Sequence, residues 1–210
     1  MTSGTAIGRM FQLLTLALIT LLAGCATQAP SQNEDRQFGD WRSQKASLEA
    51  LDTWTAAGKV GIRTPDDSQS ANLDWTQQAQ RYRISVSGPW GTGRNTLEGD
   101  ARQVTLTNGE GTFQADTPEE LMAQQMGWAL PLSSLDYWVR ALPDPRGPHR
   151  MSEDDVGFPA TLDQAGWHIE YRDWIQADRL WLPRRMVMTY DDIRTTLVIN
   201  RWQPGQAELP

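Results

Sequence analysis

The chain is poor in the residues that form metal sites and disulfide frameworks. Its 210 residues include one cysteine, Cys25, and two histidines, His149 and His168. One cysteine excludes an internal disulfide and a zinc site built from cysteines, and two histidines leave little for a histidine metal cluster. Basic residues are outnumbered by acidic ones, 19 to 26, so no basic stripe is available for a phosphate backbone. We therefore expect no metal site, no cofactor and no nucleic-acid partner.

The sequence also lacks, at its N-terminus, a hydrophobic run long enough to cross a bilayer comfortably. The run from Phe11 to Leu22 spans about a dozen residues and follows Arg9, which predicts a signal peptide over residues 1–24. It ends in Leu22-Ala23-Gly24-Cys25, which resembles the lipobox of bacterial lipoproteins, whose cysteine is acylated and becomes the first residue after cleavage. Ala26 rather than Asp follows Cys25, and the resemblance implies an anchor on the periplasmic face of the outer membrane. The alternative is a free cysteine behind an ordinary secretory signal.

Tyrosine and phenylalanine are scarce, at four each, whereas tryptophan occurs ten times. Such a surplus of large flat side chains indicates either a broad apolar core or an apolar binding surface. A hydrophobic content of 39% in 210 residues suits one globular domain. Residues 26–40 are polar and cannot offset the entropy of ordering, so we predict a lipidated cysteine with a flexible tether over 25–40 and a domain over 41–210.

The spacing of apolar residues predicts a mostly β domain that begins with one helix. Leu48, Leu51 and Trp54 recur at threes, which indicates an amphipathic helix between Trp41 and Ala57 that ends at Gly58. The period then changes to two, as in strands. The predicted strands carry Val60 and Ile62, Leu73 and Trp75, and Tyr82, Ile84 and Val86, followed by residues 95–99, 102–107, 111–115, 167–171, 186–188 and 195–202.

Two helices interrupt the strands in the middle of the chain. Thr117-Pro118-Glu119-Glu120 combines an N-cap, a proline at the first helical position and a capping-box glutamate, and the helix should run to Gly127. A shorter helix should begin near Ser133 or Ser134 and end before Pro143. The fold class is therefore mainly β with α (α+β), a curved antiparallel sheet with helices against its concave side.

Composition leaves two interpretations of the interior open. The side chains under the helices could form an ordinary close-packed core, or they could leave a cavity for a ligand. Paired methionines, Met122 with Met126 and Met186 with Met188, favour the cavity because they adapt to partners of irregular shape.

One loop has a large aromatic residue at its centre. Gly88-Pro89-Trp90-Gly91-Thr92-Gly93 is a stretch of turn formers around a tryptophan. Trp90 either folds back onto the sheet or stays exposed, and an exposed tryptophan marks a contact site. For a lipid-anchored domain the nearest apolar phase is the bilayer, so Trp90, with Pro89 and Gly91, is a candidate membrane-insertion loop.

Together these motifs resemble the LolB family, outer-membrane receptors of the Lol lipoprotein-sorting pathway. The resemblance rests on five motifs of the sequence. These are the lipobox, Trp41-Arg42 followed by Leu48, Leu51 and Gly58, Arg81-Tyr82-Arg83 leading to Gly88-Pro89-Trp90-Gly91, Ala115-Asp116 with Glu119-Glu120, and Pro131-Leu132-Ser133-Ser134-Leu135 with Trp138 and Leu142-Pro143. It implies an unclosed β-barrel of about 11 strands, LolA/LolB-like, covered by a helical lid.

The same resemblance implies a function without covalent chemistry. The interior would receive the acyl chains of lipoproteins from a LolA-type periplasmic carrier and pass them to the outer-membrane lipid. In the family the protruding loop usually carries leucine where this chain has Trp90. We expect a monomer, with an acyl-chain cavity lined by Ile62, Leu73, Trp75, Ile84, Val86, Leu121, Met122, Met126, Leu135 and Trp138.

Two other function classes are weighed against transport. A lipid-anchored hydrolase would need catalytic groups, but the pairs Asp66-Asp67, Asp154-Asp155 and Asp191-Asp192 fall at predicted turns, and no Gly-x-Ser-x-Gly motif is present. A structural or assembly lipoprotein would use a tryptophan-rich surface to hold protein partners. We expect no catalytic residue, and lipid binding is what separates transport from scaffolding.

Overall fold

The computed structural model describes residues 33–88, 91, 93–100, 102–126 and 131–209. The signal peptide, Cys25, Pro89, Trp90 and the side chain of Met126 lie outside this description. Among the described residues, no helix has both the length and the apolar character needed to span a membrane.

Eleven antiparallel strands form one sheet, as expected. They are β1 (Thr53–Arg63), β2 (Ser68–Gln78), β3 (Arg81–Ser87), β4 (Asn95–Gly99), β5 (Val104–Asn108), β6 (Gly111–Ala115), β7 (His149–Glu153), β8 (Pro159–Gln164), β9 (Trp167–Ala177), β10 (Leu180–Tyr190) and β11 (Ile193–Pro204). Their order is β6-β5-β4-β3-β2-β1-β11-β10-β9-β8-β7. The first and last strands pair in the middle of the sheet, and β6 and β7 are its edges, so the barrel is unclosed.

In the described part of the chain, three α-helices accompany the sheet: α1 (Asp40–Glu49), α2 (Pro118–Met126) and α3 (Leu132–Trp138). α1 packs on β10, whereas α2 packs on β5, β6 and α3. The Thr117 hydroxyl accepts the Glu120 N–H at 3.2 Å, which confirms the predicted N-cap of α2. Both helices predicted in the middle of the chain are therefore present.

The predicted end of α1 is wrong. The helix ends at Glu49, and residues from Thr53 onward belong to β1, where Trp54 and Ala56 alternate inward. Leu51 and Trp54 continue the helical spacing by coincidence, while Thr53 and Thr55 are β-branched residues that favour a strand. Gly58 is not a helix stop, because it lies where the register of β1 against β11 shifts.

The last part of the predicted tether lies against the domain. The Asn33 side chain donates to the Arg172 carbonyl at 3.3 Å and accepts the Trp174 N–H at 2.9 Å. Arg36 pairs with Asp154 at 2.6 Å, and its guanidinium lies 4.7 Å from the centre of the Phe158 ring. Asn33 and Arg36, which belong to the predicted tether, therefore contact the domain.

Aromatic side chains pack together on the β8–β10 part of the sheet. Trp41 of α1 contacts Phe158 and Trp174, with ring centres 6.0 and 5.4 Å apart, and Phe158 also contacts Trp181. The Gln44 side chain forms two hydrogen bonds with the Trp181 backbone, at 2.9 and 2.7 Å, which fasten α1 to β10. All tryptophans in the described part of the chain are buried. Apart from Trp75, which lines the cavity described below, these tryptophans form core rather than a binding surface.

Candidate functional site

A cavity of about 330 Å³ lies between the β1–β5 part of the sheet, β11 and the two helices α2 and α3. Its apolar wall consists of Val60, Ile62, Leu73, Trp75, Ile84, Val86, Leu97, Leu106, Leu121, Met122, Leu132, Leu135 and Leu197. The volume lies at the lower end of the range for small-molecule pockets, about 300–1,000 Å³. The interior of the domain thus holds an aromatic core in one half and this cavity in the other, which we call the hollow half.

Most of the residues predicted to line a cavity are brought together here. Ile62, Leu73, Trp75, Ile84, Val86, Leu121, Met122 and Leu135 all belong to the wall. Alternation along β1, β2 and β3 turns the strand members inward, and α2 and α3 supply the others. The prediction missed Leu97 and Leu106, although each is an apolar residue near the centre of a short strand, which is the signal that identifies the others.

Trp138 is a correction to the predicted wall. It is fully buried at the end of α3, but it does not line the cavity. Its indole N–H donates to Gln164 Oε1 at 2.8 Å, and its ring lies 6.4 Å from that of Trp167. Trp138 lies almost one helical turn beyond Leu135, further along the axis of α3. At that position it packs against β8 and β9. Met186 and Met188, the pair taken from the sequence as favouring a cavity, are buried but do not belong to the cavity wall.

Four polar residues interrupt the apolar wall, and all of them lie at one end of the cavity. Asn95 begins β4, Asn108 ends β5, Gln125 is next to last in α2, and Thr195 lies near the start of β11. We call these four residues the polar rim. The loop from Gly88 to Arg94 joins β3 to β4 at this same end, and its described residues Gly91 and Gly93 are exposed. The polar rim therefore lies on the side of the loop that carries Trp90 in the sequence.

Carboxylates fasten the two helices over the cavity. Glu119 of α2 accepts the Ser133 N–H at 2.9 Å and the Ser133 hydroxyl at 3.2 Å. Asp144 accepts the Ser134 hydroxyl at 2.7 Å and bonds to Arg146, including a contact of 2.5 Å. Burial opposes ionisation of Asp144, but the hydrogen bonds from Arg146 and Ser134 and the Arg146 charge outweigh it and lower its pKa to about 2.

A second, more polar cleft of about 630 Å³ shares Trp75, Ile84 and Leu132 with the cavity. Burial raises the pKa of the Tyr82 phenol there, and the nearby charges of Glu119 and Asp100 raise it further. Burial also raises the pKa of the Asp136 carboxyl, against the opposing effect of Arg140 at 3.2 Å. The polar groups Tyr82 and Asp136 thus line the second cleft, on the far side of the apolar residues that it shares with the cavity.

The acidic pairs and histidines weighed as catalytic candidates lie apart from the cavity. Asp66-Asp67, Asp154-Asp155 and Asp191-Asp192 lie between strands, as predicted. His168 is exposed and bonds through Nδ1 to Asp163 at 2.6 Å. Within the described residues, no group of three His, Cys, Asp or Glu side chains is placed to hold a metal ion.

Comparison with known proteins identifies the family. A family model described as outer membrane lipoprotein LolB matches residues 52–202 of the chain. The chain belongs to the LolB family. LolB relatives described as "Outer-membrane lipoprotein LolB" include one from Chromohalobacter salexigens, 59% identical over 190 residues that cover 90% of this chain and 89% of the relative. A LolB from Pseudomonas putida is 41% identical over 92% of this chain and 96% of the relative. The resemblance drawn from the motifs is confirmed.

Solved structures of distant proteins share the fold. A LolA superfamily protein from Nitrosomonas europaea matches with a TM-score of 0.52 at 10% identity, over 79% of this chain and 94% of that one. A putative outer membrane lipoprotein-sorting protein domain from Vibrio parahaemolyticus matches with a TM-score of 0.51 at 10% identity, over 81% and 92%. At this identity the likeness concerns the fold alone, and it confirms the predicted LolA/LolB-like architecture of the LolB-family chain.

Proposed function

We propose that this chain is the outer-membrane receptor of the Lol pathway, which takes lipoproteins from a LolA-type periplasmic carrier and inserts them into the outer membrane. Its membership of a family of outer-membrane lipoproteins supports the location and the role. The observation that carries the proposal is the hollow half of the sheet, whose wall is apolar except at the polar rim. Such a wall suits the hydrocarbon of acyl chains.

The physical need for such a cavity follows from the cost of exposing acyl chains to water. At about 0.8 kcal/mol per methylene, one chain of about fourteen methylenes loses more than about 10 kcal/mol when it leaves an apolar environment. A lipoprotein therefore has to cross the periplasm with its chains covered. Because the sequence has no nucleotide-binding motif, we infer that transfer runs downhill, from carrier to this cavity and then to the bilayer.

The cavity in this structure is small for a lipoprotein with several acyl chains, since its volume is that of a pocket for a drug-sized ligand. We infer that α2 moves to enlarge it. α2 rests on the short strands β5 and β6 near the edge of the sheet, and Glu119 joins its N-terminal turn to α3. α3 is fastened more extensively, through Asp144 and through the Arg140 guanidinium, which donates to the Leu48 and Leu51 carbonyls at 2.8 Å.

An acylated Cys25 would hold the domain at the outer membrane, and Trp90 would contact the bilayer during the last step. Both residues lie outside the described part of the chain, so both roles are proposals. We place the mouth of the cavity at the polar rim. The loop that carries Trp90 in the sequence joins β3 to β4 at the same end of the strands, so chains that leave through this mouth would be close to the loop.

Photo-crosslinking from the cavity wall tests the proposed function. A benzophenone amino acid at the position of Leu106, which lines the cavity, should crosslink to a lipoprotein delivered by the carrier. The same group at Thr107, the next residue and exposed on the opposite face of β5, is the matched control and should not crosslink. Equal crosslinking at both positions, or crosslinking to the same protein without its acyl chains, would contradict acyl-chain binding in the cavity.

A further inference from the structure

Thr195 contains a buried polar atom for which the fold provides no partner. Its side chain is fully buried, and its hydroxyl has no hydrogen-bond partner among the residues that the structure describes. On β11 it lies directly opposite Ile62 of β1 and Met188 of β10, both of which are apolar. A buried hydroxyl without a partner destabilises the folded state, and valine has nearly the same shape without that cost. Neither packing nor local hydrogen bonding therefore explains the threonine.

The position of Thr195 in the cavity suggests what its hydroxyl binds. It belongs to the polar rim, and it is the rim member that is fully buried, whereas Asn95 and Gln125 are exposed. An acyl chain that enters from this end and lies between Leu73 and Ile84 would have its first carbon beside the polar rim. In an acyl chain the first carbon is a carbonyl carbon, and its oxygen accepts hydrogen bonds.

We propose that the Thr195 hydroxyl, which is covered in this structure, becomes accessible when α2 moves and then donates a hydrogen bond to the carbonyl oxygen of a bound acyl chain, whether the chain is linked as an ester or as an amide. The inference rests on the proposed function, because it requires that the cavity holds acyl chains. It adds that the site recognises the acyl linkage and not hydrocarbon alone, and that this bond sets how deeply the chain enters. An apolar wall without such a donor would hold a chain at any depth.

Two ligands and two variants test this hydrogen bond. The ligands are a lipopeptide with two ester-linked palmitoyl chains and its analogue with two ether-linked chains of the same length, which lacks both carbonyl oxygens. The wild-type protein should bind the ester ligand about three- to tenfold more tightly, which is the effect of one neutral hydrogen bond. Thr195→Val should lose this preference by weakening ester binding alone, and Thr195→Ser should retain it.

The outcomes separate this inference from the proposed function. If Thr195→Val weakened the binding of both ligands equally, the effect would be one of packing, and the proposed hydrogen bond would be wrong. Unchanged affinity of this variant for both ligands would also contradict the hydrogen bond. Equal binding of the ester and ether ligands by the wild type would overturn it as well. If the wild type bound neither lipopeptide, the proposed function itself would fail. The valine variant should unfold at the same temperature as the wild type or higher, because it removes an unpaired buried hydroxyl.

Discussion

At the scale of single residues, two glycines of β1 differ sharply in their surroundings. A Cβ atom on Gly58 would lie 2.0 Å from the Val198 carbonyl oxygen, where the β1–β11 register shifts. A Cβ atom on Gly61, three residues later, would meet nothing closer than the Gln69 carbonyl oxygen at 3.8 Å. Gly58 is therefore required by the close approach of the first and last strands, whereas Gly61 is not.

Alanine at each glycine tests this difference. Gly58→Ala should lower the free energy of unfolding by about 3 kcal/mol or more, because the obstructing atom is backbone and the central strand pair would have to separate. Gly61→Ala is the matched control and should stay within about 0.5 kcal/mol of the wild type. Urea denaturation measures both values. Equal effects of the two substitutions would contradict the close approach at Gly58.

The residues of the cavity wall were largely predictable from the sequence, because inward positions follow the period of two. Ile62, Leu73, Ile84 and Val86 were found in this way. Trp138 was assigned wrongly because helical spacing does not say which part of a sheet a helix faces. Thr195 was not singled out, since the sequence alone does not reveal that a threonine hydroxyl on a strand lacks a partner.

At the scale of elements, α3 depends on Asp144, which lies beyond its C-terminus. The Asp144 carboxylate binds the Ser134 hydroxyl near the start of the helix and the Arg146 guanidinium, and the Arg146 guanidinium also donates to the Ser133 carbonyl at 2.8 Å. These contacts hold the pKa of Asp144 at about 2, below its ordinary value of 3.8. The negative charge at this position therefore stabilises the folded state.

The pH dependence of unfolding tests this contact. Because the folded-state pKa is lowered, the stabilisation by Asp144 is complete above about pH 4 and is lost as the pH falls towards 2. Asp144→Asn should cost about 1–2 kcal/mol at pH 7 and should give a shallower loss of stability between pH 4 and 2. Asp66→Asn, at an exposed turn, should change neither the free energy of unfolding at pH 7 nor its loss between pH 4 and 2. An unaltered acid slope in Asp144→Asn would contradict the assignment.

The sequence predicted elements well where a cap or an alternating pattern was strong. The Thr117 N-cap placed α2 to within a residue or two, and alternation placed β2, β3 and the second half of β1. The strands β7 and β8 were not located by pattern, because His149–Glu153 is a short, mostly exposed strand at the sheet edge. Only its pairing with β8 defines it. The number of strands, about 11, came from the resemblance to LolB proteins.

At the scale of the whole molecule, one sheet serves two purposes. The β8–β10 half is filled by Trp41, Phe158, Trp174 and Trp181, which stabilise the fold. The β1–β5 half is left open under α2 and α3 and forms the cavity. The two interpretations that composition left open, a close-packed core and a ligand cavity, therefore each describe one half.

Delivery to a membrane tests the loop at the mouth. Trp90→Glu should still accept a lipoprotein from the carrier but should fail to deliver it to liposomes, because a carboxylate does not enter the bilayer interface as an indole does. Trp90→Leu should retain delivery. Phe38 is 76% exposed near the β7–β8 turn, at the opposite end of the strands, so Phe38→Glu is the control and should deliver normally. Normal delivery by Trp90→Glu would remove the loop from the mechanism.

In the proposed function, acyl chains occupy the cavity and leave the aromatic core of the other half unchanged. Methyl NMR of the protein with a bound dipalmitoyl lipopeptide measures this directly, since nuclear Overhauser effects report contacts between chain methylenes and protein methyl groups. We predict contacts to the methyl groups of Ile84 and Met122, which line the cavity, and none to Met186, which is buried outside it. Contacts to Met186, or a bound lipopeptide without contacts to Ile84 and Met122, would contradict the account.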